Sequence, residues 1–138
     1  MIAAVLDAMY ELLIREDLPN VRRLYQPGRP AGPFVQHLPA VMITPGDPAE
    51  ERGITAEDAV EVTYRVDVWV ITRELLETPE QPNNIGSTTE IASRIADLLE
   101  ANDDLGGAVD YTQSLSVYIS PGMARISGVF IEYRRRKE

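Results

Sequence analysis

Residues 60–72 read VEVTYRVDVWVIT, from Val60 to Thr72. Val60, Val62, Tyr64, Val66, Val68 and Val70 occupy every second position, with Glu61, Thr63, Arg65 and Asp67 between them. A period of two is that of a strand with one buried face. Nearly every residue is β-branched or aromatic, which suits a pleated surface. No glycine or proline interrupts the chain between Gly53 and Pro79. The stretch is 13 residues long, against a usual 5–6 or so, and is expected to be the central strand of a sheet. At Trp69 and Ile71 the polar face turns apolar. That end needs a cover, either a helix or loop of the same chain or a neighbouring subunit.

Around this strand the remaining elements fall into place. Ile2, Val5, Leu6, Met9 and Leu13, widened by Leu12, form a helical stripe over Ile2–Glu16, and Pro19 ends it. Val21–Tyr25 suggests a short strand. Gln26–Pro39 holds four prolines and two glycines in fourteen residues and reads as an extended arm, with Phe34, Val35 and Leu38 available for docking. Ala40–Thr44 is an apolar strand, and Pro45-Gly46-Asp47-Pro48 reads as a turn. The acidic Ala49–Ala59 reads as a hairpin-like connection. Arg73–Gly86 is a second long loop. Ser87-Thr88-Thr89-Glu90 matches a capping box opening a helix to about Asn102, with Ile91, Ala92, Ile95, Leu98 and Leu99 on its buried stripe. A closing hairpin turns at Ser120-Pro121-Gly122-Met123. The expectation is one α+β domain over residues 1–138, with extended loops at 26–39 and 73–86. Its sheet is mixed or antiparallel, of four to five strands with two packed helices, in the order α-β-β-β-α-β-β.

Composition narrows the function. The 138 residues carry a net charge of −9, 44% hydrophobic residues and a mean hydropathy of −0.16, as in a soluble globular chain. No apolar run approaches the roughly 18 residues of a membrane helix. The first residues lack the basic region of a signal peptide, so an intracellular protein is expected. Without cysteine there is no disulfide, thiolate metal site or cysteine nucleophile. The acidic balance disfavours wrapping nucleic acid. Residues 125–138 carry five cations against two carboxylates, a net of +3, which leaves −12 on the first 124. The basic end, Arg134, Arg135, Arg136 and Lys137, is thereby suited to a neighbour's acidic surface.

No set of catalytic residues emerges. His37 is the only histidine and has no obvious partner in sequence. Asn102-Asp103-Asp104 lacks the spacing of a calcium loop and suits a helix end. Glu50, Glu51, Glu57 and Asp58 could pair as acid and base, but four carboxylates in a polar connection are more simply solvated. Nucleotide-binding, zinc-protease and nucleophile-elbow signatures are missing. The expectation is therefore no enzyme, no catalytic residues, no cofactor and no metal.

The arrangement resembles the tail terminator and tail-completion (head–tail joining) proteins of long-tailed bacteriophages and prophages. The likeness rests on the N-terminal amphipathic helix, the proline-bounded Pro39-Ala40-Val41-Met42-Ile43, and the long strand ending in Val66-Asp67-Val68-Trp69-Val70. The helix of Ile91, Ala92, Ile95, Ala96, Leu98 and Leu99 and the final hairpin complete it. The arm at 26–39 and the longer loop at 73–86 depart from that pattern. The resemblance implies a structural virion protein whose copies form a ring, a hexamer in the assembled tail. The ring caps the tail tube protein and faces the head-side connector protein, and DNA passes through without specific binding. It implies assembly in the host cytoplasm and residence in the tail or neck of the virion, with no membrane contact. Phe34, Trp69, Arg134, Arg135, Arg136 and Lys137 are the expected interaction residues. The alternatives are a head-closure or connector neck protein, and a small α+β ligand-binding domain or enzyme with a pocket under Trp69.

Overall fold

A computed structural model describes residues 1–16, 18–28, 37–56, 58–72 and 84–135. Its elements are α1 (Ile2–Arg15), β1 (Arg23–Leu24), β2 (Ala40–Ala56), β3 (Ala59–Ile71), α2 (Asn84–Ala101), a short 3₁₀ turn at Leu105–Gly107, β4 (Tyr111–Ser120) and β5 (Met123–Arg135). They form one five-stranded mixed sheet in the order β1-β2-β3-β5-β4. Only the two-residue β1 pairs in parallel, with Ala40 and Val41 of β2. The fold is α+β, in the expected order.

β3 is the middle strand. Its full length is laddered to β5, from Ala59↔Arg135 to Ile71↔Met123. Its even-numbered residues from Val62 to Val70 are buried and its odd-numbered ones are half-buried. The buried face meets Val5, Met9, Leu12 and Leu13 of α1 and Ile91, Ile95, Leu98 and Leu99 of α2 in a single core. Both helices therefore lie on one side of the sheet, the two-layer solution for elements with one apolar face each. Burying side chains of this size contributes about 1.5–3 kcal/mol apiece, and the stripes read from the sequence are the ones that do so.

Three local expectations are corrected. Pro45-Gly46-Asp47-Pro48 does not end a strand. β2 continues through it to Ala56, and the register jumps from Pro45↔Val66 to Glu50↔Tyr64. Residues 46–49 bulge out opposite the single residue Arg65, while the unbroken β3 supplies ladder on both sides of the gap. Gly46 is required there: a Cβ on it would lie 2.7 Å from the Arg65 Cβ. The acidic segment read as a connection is the second half of β2, pairing as far as Ala56↔Ala59. The capping box also fails. α2 starts at Asn84, so Ser87 lies within the helix and not ahead of it. Thr88 is instead buried against the end of β3, its hydroxyl 2.6 Å from that of Thr72.

The closing hairpin matches its reading. Gly122, at φ 80°, has the positive φ that the third position of a type II turn needs.

Candidate functional site

The sheet face opposite the helices carries the odd-numbered side chains of β3 and their cross-strand partners. Toward the Ala59 end the β3 side chains Glu61, Thr63 and Arg65 are polar or charged, opposite Tyr133, Ile131 and Val129 of β5. In the next row Ser127 donates to Asp67 at 2.7 Å, and Thr44 is the β2 neighbour of Asp67. One step further the chemistry changes. Met42, Trp69, Arg125 and Tyr118 form a row across β2, β3, β5 and β4. Ile71 and Met123 follow.

This row has a defined geometry. The Trp69 indole N–H donates to the Thr44 hydroxyl at 2.9 Å. The Arg125 guanidinium lies 5.5 Å from the Trp69 ring centre and 5.7 Å from that of Tyr118, so two aromatic faces flank one cation. The Arg125 Nε is shut off from solvent and has no hydrogen-bond partner among the described residues. An unmet buried donor is costly, at about 1–3 kcal/mol. Trp69 remains half-buried and Tyr118 is exposed. Among the described residues, no helix of the chain lies over this face. A cleft of about 360 Å³ opens beside it, lined by Tyr25, Gln26, Gly28, Met42, Ile43, Thr44 and Pro45. Trp69 does not line that cleft.

A second polar cluster lies at the opposite end of β3, on the helix side. The buried Tyr64 hydroxyl accepts from the Met1 ammonium at 2.8 Å and from Arg134 Nη2 at 2.7 Å. It donates to Glu132 at 2.9 Å, and Arg134 Nε donates to the same carboxylate at 2.6 Å. Burial, followed by the bond to Glu132 and that residue's charge, pushes the Tyr64 phenol up to about 12. Burial pushes Glu132 up, but the hydrogen bonds from Arg134 and Tyr64 and the Arg134 charge outweigh it, so its pKa falls below the ordinary value. Glu50 accepts from the Ile2 backbone N–H at 3.2 Å and pairs with Arg52 at 2.8 Å. It is held below the ordinary carboxylate value first by the Arg52 hydrogen bond. A carboxylate at the first turn of α1 also complements the helix dipole.

The expected interaction residues thus separate. Trp69 is central to the helix-free face. Arg134 is engaged within its own chain, so it is not part of a free basic tail. Its position opposite Val60 in the β3–β5 ladder puts it near Glu50. Arg135 is exposed at the end of β5, opposite Ala59. Phe34, Arg136 and Lys137 lie outside the described residues, as do positions 29–36 of the arm and 73–83 of the second loop. His37 has a partner that sequence alone did not suggest, the Tyr25 hydroxyl at 2.6 Å from Nδ1. Of the four carboxylates weighed as acid and base, Glu51 is 3.3 Å from Arg65, Asp58 is exposed and Glu57 lies outside the described residues.

Sequence reading missed Arg125 as a member of the Trp69 row. The signal that would find it is the β3–β5 register, which joins residues far apart in the chain. Among the described residues, no group of three acidic or histidine side chains is placed to hold a metal, and no helix is long and apolar enough to cross a membrane. No protein-family model matches the chain, and no curated protein matches it.

Proposed function

We propose that this protein is a structural, non-enzymatic assembly subunit, a ring-forming tail terminator that caps the tail tube and meets the head-side connector of a phage. The observation that carries the reading is the Met42–Trp69–Arg125–Tyr118 row. It is an apolar and cationic strip on the helix-free face, with one guanidinium held between two aromatic rings. A neighbouring subunit's apolar atoms would cover the half-buried Trp69, and its carboxylate would meet the charge of the Arg125 guanidinium at the surface. Aromatic and arginine side chains are the usual anchors of such contacts. The acidic chain, at −9, would let DNA pass a ring lumen without phosphate contacts.

The test is the mass in solution, alone and with tail tube protein, together with electron microscopy of the mixture. Rings on tube ends are expected, and Trp69→Ser should abolish them while the subunit stays folded. Binding to the connector but not to the tube would move the protein to the neck. A monomer that ignores both partners would refute the proposal.

A further inference from the structure

β4 is an outermost strand of the sheet, and among the described residues nothing pairs with its outer edge. Such an edge presents unpaired N–H and C=O groups to any strand that comes near. Natural sheets guard these edges with charges, prolines or bulges. The other side of the sheet follows that rule. Beyond the two residues covered by β1, β2 carries the Pro45–Pro48 bulge and then Glu50, Glu51 and Arg52. β4 does not. Its ten residues, YTQSLSVYIS, contain no charge and no proline, in a chain of which 25% is charged. It also exposes apolar side chains: Val117 is 46% exposed, Tyr118 56% and Ile119 39%.

The pattern along the edge identifies the occupant. Residues 114–120 read Ser-Leu-Ser-Val-Tyr-Ile-Ser. Read outward from Val117, aliphatic Leu115 answers Ile119, Ser114 answers Ser120, and small Ser116 answers bulky Tyr118. We infer that β4 pairs antiparallel with β4 of a second copy, about a two-fold axis at Val117, joining two five-stranded sheets into one.

Backbone geometry agrees with that centre. The two-residue turn at Pro121-Gly122 makes Ser120↔Met123 the closing pair, so Ser120, Tyr118 and Ser116 direct their amides toward β5. Leu115, Val117 and Ile119 then direct theirs outward. Across the axis, Val117 meets Val117 and Leu115 meets Ile119 twice. Each of these three pairs exchanges two N–H···O=C bonds, about six in all. On the helix side this places aliphatic against aliphatic. On the other side Tyr118 meets the small Ser116, so bulk is offset by space. Two chains of −9 meet where neither has a charge to oppose the other. This contact shares only Tyr118 with the Trp69 row, is carried by backbone pairing, and does not depend on the tail reading.

The chain has no cysteine, so single thiols report the register directly. In Val117→Cys the two Cα atoms would lie about 5.5 Å apart, inside the disulfide range of about 4.4–6.8 Å. In Ser120→Cys the like positions would be about 20 Å apart at the strand rise. Mild oxidation is expected to give covalent dimers with Val117→Cys and none with Ser120→Cys. Val117→Pro removes an outward N–H and leaves the β5 ladder whole. It should weaken association in sedimentation by roughly tenfold or more. Val117→Lys, which brings two cations face to face, should do the same. If the Val117→Cys thiol is open to a thiol reagent but forms no dimer, the pairing is wrong, and β4 serves another protein's strand or none. That result stands even if the proline variant fails to fold. Equal cross-linking at 117 and 120 would overturn the register.

Discussion

The Tyr64 hydroxyl accepts two hydrogen bonds and donates a third, which exhausts its capacity. It joins the start of α1, the middle strand and the end of β5. Tyr64→Phe keeps the ring in the core but leaves the Met1 ammonium, Arg134 and Glu132 each short of a partner. We expect a loss of about 1–3 kcal/mol, read from urea denaturation. The pH dependence has a definite sign. The phenol titrates higher in the fold, at about 12 against 10.0, so its contribution is complete below pH 10 and is lost as pH rises toward 12. Tyr64→Phe should flatten that alkaline limb. Glu132 and Glu50 are shifted the other way, below 4.5. Their contribution is present above pH 4.5 and is lost as pH falls through their lowered values. An alkaline limb in Tyr64→Phe as steep as the parent's would mean that other tyrosines set it. Nothing in the sequence points to this network. Tyr64 reads only as one more core residue of the alternation, because its partners come from both ends of the chain.

Among the elements, β3 was readable because its side-chain period records one buried face. Its reading as Val60–Thr72 differs by one residue at each end from the observed Ala59–Ile71. The helical stripes were readable for the same reason. What failed was local turn chemistry. Pro45-Gly46-Asp47-Pro48 has the composition of a turn, and a bulge uses the same residues. Only the partner strand decides between them, and β3 runs past the bulge without a break. Gly46 leaves no room for a side chain against Arg65 of β3, which yields a prediction. Gly46→Ala brings a Cβ within 2.7 Å of the Arg65 Cβ, so backbone must move. A cost of about 1–3 kcal/mol is expected from overpacking, measured as a drop in Tm. A variant that melts with the parent would show that the bulge can shift. The Trp69 row was half legible. Broken alternation marked Trp69 itself, whereas Arg125 and Tyr118 join it only through pairings across the sheet.

The described residues form a two-layer plate with helices on one side, one guarded edge and one edge, β4, with nothing paired to it among them. Charge sets how copies meet. Repulsion between chains of −9 acts over a screening length of about 10 Å at 0.1 M salt and about 3 Å at 1 M. Pairing through the uncharged β4 should therefore strengthen as salt rises. Association through Arg135 and the basic end should weaken instead. Sedimentation at low and high salt separates the two by sign, and weakening at high salt would count against an uncharged contact.

The β3–β5 ladder also dictates the order in which the chain can find its shape. β2 and β3 meet across a tight hairpin, with partners 3 to 31 positions apart. The partners of β3 and β5 are 52 to 76 positions apart. Closing such long intervals costs more chain entropy and slows the search. The hairpin can zip by itself, but its middle strand then waits with one edge bare until α2 and the β4–β5 hairpin arrive. During that interval VEVTYRVDVWVIT is itself an open, valine-rich edge, the kind of segment through which half-folded chains aggregate. The strand that organises the native sheet is thus also its hazard during folding.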